Sequence, residues 1–282
     1  MLPVVLAGLA STLWGTSDFL GGFATKGWRA ERVALISQAI GFVLLVGLAP
    51  IVTGTLAPAG DLAWGAAAGA SGAIGAVLLY HALAIGPMNA AAPTIAIVTA
   101  IVPAAIGLAQ GERPSTLALL GVALAVIAVA LVGGAPPPGR ESTRATTRVL
   151  MISAASGVGL GLANACFAQT AASSGLWPVV VTKIVALLAI GAFVVFAVRD
   201  GTSASPRNVR FAVATGFVDA SATATISIAL QRGSLVLVSV LGSLFPAVTV
   251  VLARTFLRER IGPLQAVGIV LALVAVALIV AG

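Results

Sequence analysis

Apolar residues run through this chain in blocks of about 20, the length a helix needs to cross the hydrocarbon core at about 1.5 Å per residue. Charges, prolines and glycines punctuate the blocks into segments near 3–22, 33–52, 62–85, 88–109, 115–133, 149–171, 177–198, 209–231, 234–253 and 262–281. In lipid every backbone N–H and C=O must find a partner inside the protein. A helix does this within one segment, whereas barrel strands would show short alternating runs. The pattern predicts an all-α integral membrane protein of ten transmembrane helices. Its tightest connections fall at Gly86-Pro87 and at Arg232-Gly233-Ser234.

Composition narrows the class. Of 282 residues, 60% are hydrophobic and 8% charged, against about 25% charged in a soluble globular chain. No polar stretch is long enough for a separate soluble domain. The net charge of +7 could suggest nucleic acid, but 14 of the 15 Lys and Arg residues lie in or beside the short connections, as charges held at a membrane surface do. No nucleic-acid partner is expected. The single cysteine, Cys166, excludes an internal disulfide or cysteine metal cluster, and one histidine excludes a histidine cluster, so no metal or cofactor is expected. No Lys or Arg precedes the first block, and comparable blocks follow it, so it reads as a retained span and not a cleaved signal.

The longest polar connection, from Gly133 through Pro136-Pro137-Pro138 to Arg144, cannot be a helix interior and divides five spans from five. Sliding the second half over the first by 147 residues superposes Ala82 on Ala229, Gly86 on Gly233, Glu112-Arg113 on Glu259-Arg260, Gly121 on Gly268, and Ala128–Leu131 on Ala275–Leu278. This predicts a duplication, with one five-helix repeat over 1–134, a polar loop over 135–148 and a second repeat over 149–282. A repeat with an odd number of spans enters the membrane in opposite directions in its two copies. That is the inverted-repeat plan of many transporters, whose substrate sites lie near the midplane between the halves.

The segment Leu13-Trp14-Gly15-Thr16-Ser17-Asp18-Phe19, with Gly111-Glu112-Arg113-Pro114 and Leu257-Arg258-Glu259-Arg260 before the fifth and tenth spans, resembles the drug/metabolite transporter (DMT) superfamily, EamA-like branch. The resemblance covers the whole chain. It implies a ten-helix carrier with a central cavity between the halves, commonly exporting amino acids or other metabolites. The second half departs from it, since Gly157-Val158-Gly159-Leu160-Gly161 stands where Trp14-Gly15 would recur.

An ionisable group inside a span is a functional candidate by default, because a charge at the bilayer centre costs about 2.5–3.5 kcal/mol on insertion scales. Asp219 sits mid-span beside Ser221, Thr223 and Thr225, either in a cavity or hydrogen-bonded to those hydroxyls. Lys183 either snorkels to the interface or points inward, where Asp219 is its natural counter-charge. Asp18 aligns with Asn164 through Ala10-Ser11 after a one-residue adjustment, which would place a polar group at equivalent depth in each half; the alternative puts Asp18 at the interface. Trp14, Tyr80, His81 and Gln169 complete the substrate or coupling candidates, His81 being weighed as a structural residue. Pro93 and Pro103 in the fourth span and Pro246 in the ninth remove helix hydrogen bonds and should kink their helices.

The expected function is transport, not catalysis: a small metabolite or amino acid, in the efflux direction, moved by alternating access across the cell membrane, with a proton as candidate coupling ion. A flippase for a lipid-linked sugar is the nearest alternative. An intramembrane enzyme would need a base beside Ser71 of the Gly69-Ala70-Ser71-Gly72 motif. His81 stands ten residues further along the same segment, roughly 15 Å away by helical rise. The odd-numbered connections carry twelve Lys and Arg residues and the even ones only Arg113 and Arg232. The positive-inside rule therefore places both termini outside, while the family resemblance places them inside.

Overall fold

The computed structural model describes residues 1–25, 28–85, 88–132, 143–197, 205–257 and 262–282. Among them the regular structure is helical and no strand occurs. The helices are α1 (Leu2–Ala24), α2 (Ala30–Thr53), α3 (Ala59–Ile85), α4 (Met88–Ala109), α5 (Thr116–Val132), α6 (Thr143–Ala168), α7 (Trp177–Ala197), α8 (Pro206–Leu230), α9 (Leu235–Gly242), α10 (Phe245–Leu257) and α11 (Pro263–Ala281). A single 3-10 turn, Ala172–Ser174, lies between α6 and α7. Each expected span has its helix, except that the ninth is split into α9 and α10.

Seven of these runs, counting α9 and α10 as one, are long and apolar enough to cross a membrane. The helix α1 has the length but is diluted by Ser11, Thr12, Thr16, Ser17 and Asp18. The outer surface carries large apolar side chains in numbers that water would not tolerate, among them Val43, Ile51, Leu188, Phe196 and Leu273. The interior is built from small residues instead, with Ala7, Ala10, Ala49, Ala68, Ala96 and Ala100 all buried. Without a hydrophobic drive between helices in lipid, close backbone approach supplies the packing.

Glycines mark the crossings. A Cβ on Gly15 of α1 would stand 2.6 Å from Phe245 O and 2.6 Å from Val248 Cβ of α10. A Cβ on Gly157 of α6 would stand 2.8 Å from Ile95 O and 2.6 Å from Val98 Cβ of α4. Each crossing carries a threonine hydroxyl donated to the glycine carbonyl, Thr249 to Gly15 at 3.1 Å and Thr99 to Gly157 at 3.4 Å. Gly121 of α5 lies against Ala275 O, and Gly268 of α11 against Ala128 O, both at 2.9 Å from the position of a Cβ. Gly216 of α8 meets Ser37 and Ile40 of α2 as Gly69 of α3 meets Thr182 and Val185 of α7.

The helices before and after the central connection interleave. One bundle combines α1, α2, α8, α9 and α10, a second combines α3, α4, α6 and α7, and α5 pairs with α11. The two bundles touch chiefly where α2 meets α7 and where α4 meets α9. The five-helix segments therefore do not pack as two separate units, as a simple rocking of one half on the other would require.

Candidate functional site

The α2–α7 crossing brings charge into the bundle. Pro178 occupies the first turn of α7, where its missing N–H costs no helix hydrogen bond. Lys183 follows in the second turn and is 3% exposed. Its stem lies over Gly41 of α2, with Lys183 Cε 3.3 Å from where a Cβ on Gly41 would sit. The ammonium donates to Asp219 Oδ2 of α8 at 2.7 Å, with side-chain exposure of 4% for Lys183 and 23% for Asp219. This ion pair joins the two bundles. The hydroxyls beside Asp219 are used elsewhere: Ser221, Thr223 and Thr225 each donate to a carbonyl four residues back on their own helix. The carboxylate is held by the lysine and not by those hydroxyls.

Asp18 of α1 is exposed. Its neighbour Ser17 donates to Thr215 O of α8 at 3.4 Å, one turn before Asp219, so the two carboxylates lie at the same α1–α8 crossing. Trp14 lies one turn earlier on the same face of α1. It packs edge-on against Phe245, with ring centroids 6.5 Å apart. Phe245 is the first residue of α10, so the Trp14-Gly15 pair is seated directly on the break in the ninth span.

The other candidates lie apart. Asn164 of α6 is buried. Asn164 lies two turns beyond Gly157, whereas Asp18 lies one turn beyond Gly15. Gln169 is exposed just past α6 and donates to Ala165 O of its own helix at 3.5 Å. His81 is exposed near the end of α3. The side chains of Tyr80 and Pro93 lie outside the described residues. Ser71 donates to Ala67 O at 2.9 Å within its own helix. Pro103 is fully buried inside an unbroken α4, while Pro246 stands at the second position of α10, after a break at Ser243-Leu244. In the ninth span the helix stops and restarts, and Pro246 falls where a restarted helix tolerates it.

Sequence reading passed over a second polar cluster. Gly111, at φ +93°, ends α4 with hydrogen bonds from Gly111 N to Leu108 O and Glu112 N to Gly107 O, the six-to-one closure that favours glycine at this place. The turn aims Glu112 at the start of α9. Its Oε1 accepts from Leu235 N at 2.7 Å, and its Oε2 accepts from Val236 N at 3.1 Å and Ser234 Oγ at 2.5 Å. Gln231 Nε2 donates to Thr170 Oγ1 and to Gly175 O, each at 3.0 Å. Asp61 accepts from Ala171 N at 2.9 Å and from the Ser174 hydroxyl. These bonds join the second, fourth, sixth and eighth connections on one face. Pro3 beside Gly233 and Gly282 beside Ser115 put both ends of the described chain there too. The serine at the head of an apolar run, Ser234, was the available signal.

No curated protein matches the chain. Among solved structures, one crystal structure shares its fold, with 18% sequence identity, coverage of 99% of this chain and 98% of that chain, and a TM-score of 0.81. Residues 149–281 match the EamA-like transporter family. The second half of the chain is thus similar to EamA-like transporters, and its long apolar helices are those of an integral membrane protein.

Proposed function

We propose that the protein is a carrier of the drug/metabolite type that moves a small metabolite or amino acid outward by alternating access, with its solute site around Asp219, Lys183, Asp18 and Trp14. The observation that carries this reading is the Lys183–Asp219 pair, 2.7 Å long and set where the two bundles meet. Two charges in a membrane interior are costly and persist where they are used or tightly paired. Here Asp219 keeps partial solvent access, and Asp18 lies at the same α1–α8 crossing with no hydrogen-bond or ion-pair partner among the described residues. A solute or a proton arriving from water would meet the carboxylates first, with the ammonium behind them.

Two five-helix inverted repeats are part of the proposal. The matched crossings of Gly15 with Gly157, Gly69 with Gly216 and Gly121 with Gly268 support it, and the last two keep the 147-residue spacing of the sequence comparison. Because the repeats interleave, the bodies that move against each other are the two mixed bundles, not the two halves of the sequence. Motion between them must stretch or re-form the Lys183–Asp219 pair, which couples occupancy of the site to the change of access.

Cysteines placed along α4 and α10 test this. They should react with a membrane-impermeant thiol reagent from one side in one state and from the other side in the second. Labelling independent of state would make the protein a static scaffold or a channel.

A further inference from the structure

The Lys183–Asp219 pair leaves unused the carboxylate of Glu112, which lies in the connection between α4 and α5 and takes three hydrogen bonds from the start of α9. We propose that Glu112, together with Gln231, is the latch that holds the two bundles shut on the face of the even-numbered connections. This inference rests on the alternating-access reading.

Both residues tie one bundle to the other. Glu112 hangs from α4 of the second bundle and holds the first three residues of the α9 end, which belongs to the first bundle. Gln231, at the end of α8 in the first bundle, holds Thr170 and Gly175 between α6 and α7 of the second. Arg232 adds a bond to Ala172 O at 3.5 Å. By contrast, Asp61 and the 3-10 turn it grips both belong to the second bundle. On the opposite face, the bond from Asn208 Nδ2 to Ala24 O at 3.1 Å and the stacking of Phe23 on Phe211 at 5.2 Å hold α1 to α8 inside the first bundle.

The packing beneath the latch is closed. Thr170, Ser174, Leu176, Leu235 and Val236 are all at most 4% exposed. Asp18, the accessible carboxylate, lies six residues from the opposite end of α1. A hydrogen bond with an ionised acceptor is roughly twice as strong as a neutral one, and Glu112 concentrates three on the first turn of α9, where the backbone donors have no partner within the helix. The same turn leads, eight residues on, to the break at Ser243-Leu244 and the Trp14–Phe245 contact. Glu112 is thus a positioning residue: it touches no solute, and acts by setting α9.

The test uses the full chain in its membrane, with Cys166→Ala as background and Ser239→Cys as probe. Ser239 is 1% exposed on α9, and its hydroxyl has no partner among the described residues. Intact cells and inverted vesicles each present one face to an impermeant thiol reagent. Glu112→Gln keeps the size but removes the charge and one acceptor. It should speed labelling from the even-connection face by roughly tenfold or more, as the loss of about 1.4 kcal/mol implies, with labelling from the other face unchanged or slower. Gln231→Met, a change at the separate tie, should produce the same one-sided effect. Equal rates in the parent and both variants would overturn the latch. So would a rise from both faces, which marks general loosening. If the probe in the parent protein is labelled alternately from the two faces and the variants change nothing, the latch fails while the carrier reading stands; labelling from neither face in any protein overturns both.

Discussion

Removing one partner of the Lys183–Asp219 pair should be more harmful than removing both. Asp219→Asn strands an ammonium whose side chain is 4% exposed. Breaking a buried pair in this way costs about 3–5 kcal/mol, less whatever the lysine recovers by losing its proton. Lys183→Met strands a carboxylate that water already reaches at 23% exposure, so the cost falls to about 1–3 kcal/mol. The double variant leaves neither charge exposed to a low-dielectric interior and should regain most of the loss, while solute movement stays impaired in all three. Equilibrium unfolding of the purified protein in lipid-like detergent, with insertion scored separately, measures each term of the cycle. An Asp219→Asn curve that overlays the parent, or a double variant no better than Asp219→Asn, would refute the pairing as an energetic fact.

Gly15→Ala should weaken the α1–α10 crossing by about 1–3 kcal/mol, because the new Cβ would meet Phe245 O and Val248 Cβ at 2.6 Å and one of those is backbone; a thermal unfolding midpoint unchanged from the parent would contradict this. Gly41→Ala places a Cβ 3.3 Å from Lys183 Cε and should shift the ammonium against Asp219, lowering transport more than stability, which parallel flux and unfolding measurements separate. A cytoplasm-active reporter fused after Gly282 should be silent if the twelve-to-two bias of basic residues toward odd connections governs insertion. Strong activity would instead favour the orientation implied by family resemblance.

Span existence was plain in the sequence because each span must satisfy its own backbone in lipid, so length and apolarity alone mark it. The split of the ninth span was not, since Ser243-Leu244 has no charge or proline and Pro246 lies beyond the break. Lys183 and Asp219 could be proposed as partners because few charges lie inside spans and opposite ones must find each other. Their meeting over Gly41 depended on a tertiary crossing that no spacing reports. Pairing Asp18 with Asn164 relied on an alanine-rich stretch, where many alignments score alike, whereas Gly121 and Gly268 each sit at a crossing that admits no side chain. Glu112 stood out in the sequence only as part of a Glu-Arg pair, and Asp61 and Gln231 not at all. Their partners lie more than 50 residues away in sequence, and nothing local distinguishes a latch from a solvated turn.

The most direct test of the carrier reading is a metabolite-efflux screen in cells producing the parent protein, Asp219→Asn at equal membrane abundance, or neither. At least one small metabolite should accumulate in the medium with the parent protein and return to the background level with Asp219→Asn. Identical media for all three cell types, or efflux that survives Asp219→Asn unchanged, would contradict a solute carrier working through this site.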